Sequence, residues 1–150
     1  MQYQHLVDLY LSLEKTTKRL EKTALVAAFL KQVPNDDIVD VVYLLQGRVF
    51  APWDERKIGF SSRLMLKAIH VASGTSVDKV EHLWSKKGDL GLVAAELIGK
   101  KSQATLTSHA LTVKKVIDNI RKLATLEGAG TVDRKVGLVA ELLTSSTFAE

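Results

Sequence analysis

No cysteine occurs among the 150 residues. Disulfides, thiolate zinc sites and cysteine nucleophiles are therefore excluded, and a reducing compartment, by default the cytoplasm, is expected. A membrane-length apolar run is missing too. The opening MQYQHLVDLYLSLEK carries Asp8 and Glu14 and no small-residue cleavage site, so it reads as neither signal peptide nor membrane span, and no membrane partner is expected. The charge balance is modest: 21 Lys and Arg oppose 17 Asp and Glu, a net charge of +4 with pI near 9.3, which leans toward an anionic partner. A composition of 46% hydrophobic and 25% charged residues fits one soluble domain with a sizeable core.

Catalytic motifs are equally scarce. A Walker-type phosphate loop needs four residues between its first glycine and GK[ST], so that successive backbone N–H groups wrap a phosphate. The stretch GLVAAELIGKKS, from Gly91 to Ser102, has seven and lacks a hydroxyl directly after Lys100. His5, His70, His82 and His109 stand on different expected elements, no two at a metal-ligand spacing, so no metal site is expected. No GxSxG, HExxH or GxGxxG is present, and Asp36, Asp37 and Asp40 read as charge favouring a helix N-terminus. The chain alone is not read as an enzyme.

What is present is helical periodicity from end to end. In LTVKKVIDNIRKLATLEG, apolar Val113, Val116, Ile117, Ile120, Leu123 and Ala124 recur at three- and four-residue steps, one stripe facing a core, and Gly128 supplies the stop. The same pattern predicts helices over about 2–15, 19–32 and 36–46, the last started by Asn35 or Asp36 and ended by Gly47. Further helices are predicted over about 61–73, ended by Gly74, and 76–86, started by Thr75 or Ser76; then about 90–98 from Asp89, 112–127, and 132–144 from Thr131. No stretch alternates as a strand, so the fold class is all-α, with Phe50 to Gly59 and Lys100 to Leu111 as the longest loops. Trp53 and Trp84 read as core or loop anchors rather than stacking platforms.

One hexapeptide comes three times: LVAAFL from Leu25, LVAAEL from Leu92 and LVAELL from Leu138. Solenoids need a constant period and similar flanks, and neither is found. Only the outer copies share a basic approach, RLEKTA and DRKVG, so they are read as opening two pseudo-equivalent lobes, with the second lobe cut short at Glu150. On that reading the chain is the N-terminal part of something longer. An apolar stripe of Val136, Val139, Leu142 and Leu143 is then expected to lie exposed on the last helix.

Dibasic pairs occur at Lys18-Arg19, Lys86-Lys87, Lys100-Lys101, Lys114-Lys115, Arg121-Lys122 and Arg134-Lys135. Pairs inside long helices, such as Lys114-Lys115, read as solvated faces. The sharper case is GAGTVDRKVG, from Gly128 to Gly137. Its glycine turn, with Gly130, leads to Thr131, whose hydroxyl can cap a helix or bond a phosphate, while free N–H groups point outward. Arg134 and Lys135 stand in the first turn, where cations oppose the helix dipole unless an anion is shared. Capping and phosphate binding both remain open for Thr131.

Four ordered blocks carry a family resemblance: LYLSLEKTTKRLEKTALVAAFL after Tyr3, WDERKIGFSSRLMLKAI from Trp53, KKGDLG from Lys86, and LTVKKVIDNIRKLATLEGAGTVDRKVGLVAELL to Leu143. Together they resemble the N-terminal DNA-binding domain of ATP-dependent DNA ligases, most nearly the archaeal form, over nearly the whole chain. The resemblance implies an all-helical, two-lobed module that grips the minor groove around a nick in double-stranded DNA, in replication, repair and recombination. Following nucleotidyltransferase and OB-fold domains would use ATP and Mg. No KxDG lysine occurs here, so the resemblance implies no catalytic residue in this chain.

By the same resemblance Gly130, Thr131, Arg134 and Lys135 contact DNA, and by pseudo-symmetry Thr17, Lys18, Arg19 and Lys22 contact a second backbone stretch. A sliding clamp is a possible partner of the parent protein. Where relatives carry a GxG turn, this chain has Gly59-Phe60-Ser61, which puts a close backbone approach at Ser61 in doubt. The family's glycine- and arginine-containing turn of the second lobe would fall beyond Glu150. The alternative function is a helical protein-protein interaction module without nucleic-acid binding.

Overall fold

A computed structural model of the protein describes residues 1–99, 110–128 and 130–146. Eight helices run in order among them: α1 (Tyr3–Glu14), α2 (Arg19–Leu30), α3 (Ile38–Leu45), α4 (Ser62–Ser73), α5 (Val77–Lys87), α6 (Leu90–Gly99), α7 (Val113–Thr125) and α8 (Val132–Ser145). The all-α class and all eight expected helices are found. The only extended pairing among the described residues is one antiparallel bridge, Gln2 with Thr112, which ties the start of the chain to the start of α7. Most of the expected Lys100 to Leu111 loop lies outside the described residues, as do His109 and the pair Lys100-Lys101.

Local chemistry accounts for the boundaries. Asp89 Oδ1 accepts the Leu92 amide at 2.8 Å and Thr112 Oγ1 that of Lys115 at 3.1 Å, each satisfying a donor that the helix itself cannot. Gly74 and Gly88 end α4 and α5 in the left-handed conformation, both at φ 73°. The start of α3 differs from expectation. Residues 35–37 form a turn, and Asp37 accepts an ion pair from the Met1 amino group instead of capping.

Packing divides into a first core and two linked ones. Leu6 and Leu9 of α1, Val33, Val41 of α3 and Val113 of α7 form the first, with Leu25, Phe29 and Leu30 of α2 half-buried on it. Leu66 and Ile69 of α4, Val80 of α5, and Val93 and Ala94 of α6 form the second. Ala68 of α4, Leu123 of α7, and Val136 and Val139 of α8 form the third, and Met65 and Leu143 pack against both of the latter. The strut is α7, in the first core at Val113 and in the third at Leu123.

The expected apolar stripe on α8 is not exposed. Val136 and Val139 are buried, and Leu142 and Leu143 half-buried, because α4 packs over that face of α8. Exposure falls on α2 instead, where no residue is fully buried and Leu20 is 83% exposed. Trp84 is half-buried against the second core as an anchor, but Trp53 is 84% exposed and is no core residue.

Candidate functional site

The segment that joins α7 to α8 turns through Gly128 at φ 91° and Gly130 at φ 83°, a region where L side chains are strained. Thr131 follows as the N-cap residue, but its backbone is helical and its side chain caps nothing. Its Oγ1 donates 2.8 Å back to the Gly128 carbonyl, closing the turn. Thr131 thus spends its one hydroxyl proton on the turn, and its oxygen accepts no amide of the first turn, which stays without a side-chain cap.

Arg134 is exposed and has no hydrogen-bond or ion-pair partner among the described residues. It shares a shallow groove with Lys122 and Thr125 of α7 and with Gly137, Leu138 and Glu141 of α8. Lys135 is half-buried, and its Nζ donates 3.2 Å to the carbonyl of Gly59, just before α4. Gly59 has φ 57°, and a Cβ built there would stand 3.1 Å from that Nζ. The two turns singled out in the sequence, at 59–61 and 128–135, thus meet through one lysine. An ammonium has three donors, so this bond leaves Lys135 with capacity for an anion. Ser61 serves as N-cap of α4, its Oγ accepting the Leu64 amide at 3.4 Å.

The second set of predicted residues lies at the start of α2. Thr16 Oγ1 accepts the Lys18 amide at 3.2 Å and donates to Glu21, while Lys18 Nζ pairs with Glu21 at 2.8 Å. The Glu21 carboxyl is held below its ordinary value first by Lys18 and then by Thr16. Lys18 is therefore engaged, whereas Arg19 and Lys22, with Thr17, line a shallow groove along Thr23, Val26 and Leu30. No hydrogen bond or ion pair among the described residues links this set to Arg134 or Lys135; α2 packs on α1, and α8 on α4 and α7.

A common rule governs the dibasic pairs. Lys18 takes Glu21, Lys87 takes Glu96 at 2.9 Å, Lys115 takes Glu141 at 2.6 Å, and Lys135 takes Gly59. Arg121 bonds Asp40 at 3.0 Å and the Val49 carbonyl at 2.8 Å and lies over Tyr43. In each of the five described pairs the other member is exposed: Arg19, Lys86, Lys114, Lys122 and Arg134. Neighbours in a helix point about 100° apart, so one contact surface holds only one of them. The same division holds at Arg56-Lys57, a pair that the sequence reading passed over: Arg56 pairs with Asp54, and Lys57 is exposed.

Beside the site, Asn119 is a buried polar residue within the apolar stripe of α7. Its Nδ2 donates 3.2 Å to the Leu138 carbonyl and 3.0 Å to Glu141. Lys115 first, and Asn119 second, hold the Glu141 carboxyl below its usual range. This cluster fixes α8 against α7 and so sets the angle at which Arg134 leaves the fold. Among the described residues no group of three His, Asp or Glu is placed to hold a metal ion, and no helix is long and apolar enough to cross a membrane.

The model of a family described as the DNA ligase N terminus matches residues 2–150. A DNA ligase of Methanobrevibacter smithii is 39% identical over 150 residues, covering 100% of this chain and 27% of that protein. One of Thermococcus fumicolans is 42% identical over 142 residues, covering 95% and 25%, and one of Archaeoglobus fulgidus 40% identical over 139 residues, covering 92% and 25%. The chain thus spans about a quarter of the length of the curated relatives it matches.

Proposed function

The chain belongs to the DNA ligase N-terminal family, and from that membership we propose that it holds double-stranded DNA around a nick through phosphates and groove shape, without reading bases. An enzyme that must seal any sequence needs contacts that carry no sequence information, and phosphate contacts meet that need. The observation that carries the reading is the exposed, unpaired Arg134 in the uncapped first turn of α8. There the helix dipole disfavours a lone cation and favours an anion shared by guanidinium and amides.

In this reading Gly130 sets the turn, Thr131 closes it, and Arg134 with the remaining donors of Lys135 takes the phosphate. Arg19 and Lys22, beside Thr17 and Lys18, grip a second backbone stretch. Nucleotidyl transfer with ATP and Mg belongs to later domains of the parent ligase, and a sliding clamp would be met through the parent protein. Leu20, exposed on α2 with Ala24, Ala27 and Ala28, is what supports one rival reading, a helical protein-interaction module.

Duplex binding as a function of salt separates the two. If about four phosphates are neutralised, log K falls with log salt at a slope of about −3 to −4. The combined Thr131→Ala, Arg134→Ala and Lys135→Ala variant is expected to bind unrelated duplexes equally more weakly, roughly thirtyfold, with a slope about two units shallower. Lys114→Ala, exposed on α7, is expected to change neither. Unaltered retention of the combined variant on a DNA column would sink the assignment.

A further inference from the structure

A single exposed apolar side chain is ordinary in a soluble protein. A tryptophan held out on a loop with both ends pinned is a different matter. The segment from Val49 to Gly59 is fixed at its start by Arg121, whose Nε donates 2.8 Å to the Val49 carbonyl, and at its end by Lys135 on the Gly59 carbonyl. Between them Ala51-Pro52-Trp53-Asp54 forms a β-turn closed by the Asp54 amide on the Ala51 carbonyl at 3.0 Å, with proline preset in the second position. Asp54 takes the Arg56 guanidinium through both oxygens, and that guanidinium lies 4.2 Å from the centre of the Phe50 ring. Trp53 occupies the tip of this braced turn and is 84% exposed.

The surroundings name the class of partner. Residues 48–63 contain four cations, Arg48, Arg56, Lys57 and Arg63, against Asp54 and Glu55. Arg56 is neutralised by Asp54, while Arg48, Lys57 and Arg63 are exposed, their side chains with no hydrogen-bond or ion-pair partner among the described residues. The loop ends on the carbonyl that Lys135 bonds, so it is continuous with the candidate phosphate site. Cations around a rigid apolar tip complement a surface in which phosphate rows flank sugars and base edges, which is a nucleic-acid groove.

We propose that Trp53 is a DNA-contacting residue, its indole packed into a groove of the duplex while the neighbouring cations hold the flanking phosphates. This rests on the duplex-binding reading above. The contact is apolar and sequence-tolerant, so it adds grip without adding salt dependence. The bracing matters because a tip already ordered in the free protein loses little conformational freedom on binding.

The chain has two tryptophans, and Trp84 is packed against the second core, so in a Trp84→Phe background the emission reports Trp53 alone. With the full 150-residue chain and a fluorescein-labelled nicked duplex of mixed sequence, saturation is expected to shift the Trp53 emission and protect it from acrylamide. Trp53→Ala, measured in the original background by fluorescein anisotropy, is expected to weaken binding roughly tenfold while leaving the salt slope unchanged, whereas loss of a phosphate cation lowers the slope. Trp53→Phe is expected to recover most of the affinity. An unchanged melting curve checks that Trp53→Ala folds. Duplex binding with unaltered emission, or with Trp53→Ala within about twofold, overturns the proposal and leaves the duplex reading standing. No binding by the unmodified chain overturns both.

Discussion

LVAAFL in α2 and LVAELL in α8 are near-copies, and the fold treats them in opposite ways. In α8 the second and third residues, Val139 and Ala140, are buried against neighbours on both sides. In α2 their counterparts are a half-buried Val26 and an exposed Ala27. The middle copy in α6 sides with α8, since Val93 and Ala94 are buried. The shared basic approach suggested that the outer two are equivalent, whereas burial groups the last two. A hexapeptide specifies a helix with an apolar face; how much of that face is covered depends on how many other helices lie within reach.

Substitution at matched positions tests this contrast most strongly. Ala140→Gln forces an amide and one further methylene into the packed α8 interface and is expected to cost about 3 kcal/mol in urea unfolding. Ala27→Gln, with nearly the same helix propensity, is expected to change stability by no more than about 0.5 kcal/mol. Equal costs would mean that the two faces are equally covered in solution.

The helix starts offer a smaller contrast. Arg19→Ala with Lys22→Ala is expected to weaken duplex binding roughly threefold, well below the loss at Thr131, Arg134 and Lys135, because Lys18 beside them is already neutralised by Glu21. A loss as large as that of the α8 set would restore the equivalence of the two starts.

The smallest effect concerns ion pairs. Glu141 has a lowered carboxyl pKa in the folded protein, so its pairing contributes fully above the ordinary carboxylate range and is lost as pH falls through the folded value. Lys115→Ala is expected to cost about 0.5 kcal/mol at neutral pH, since both partners are partly solvated. That cost is expected to shrink below about pH 4.3 and vanish below the folded pKa, as checked by denaturation at several pH values. A cost that grew on acidification would contradict the assignment.

Much of this was legible beforehand, and the misses share a cause. The stripe on α7 was read correctly from spacing, apart from Asn119, whose burial depends on acceptors supplied by α8. Gly74 and Asp89 act within four residues of themselves, so their roles were readable; the Thr112 cap is equally local but was not picked out. Thr131 was read as a cap or phosphate ligand; it makes no side-chain cap, and its hydroxyl donates to the Gly128 carbonyl of the preceding turn, an acceptor placed there by the glycine turn. Exposure of the α8 stripe was expected from reading the second lobe as cut short, but α4 covers it. Trp53 was read as an anchor because its neighbours are packing residues; Phe50 and Arg56 instead brace the loop beneath it.

The sequence by itself determined the eight helices, their principal stops and the family, because periodicity, capping and ordered motifs are local properties of the chain. Only the tertiary structure decided which member of the pairs Lys114-Lys115, Arg121-Lys122 and Arg134-Lys135 is bonded across the fold and which is not. At these three the carboxylate or carbonyl is brought from elsewhere in the chain, as Gly59 is to Lys135 across 76 residues, and no local pattern contains it, whereas Lys18 finds Glu21 within its own turn.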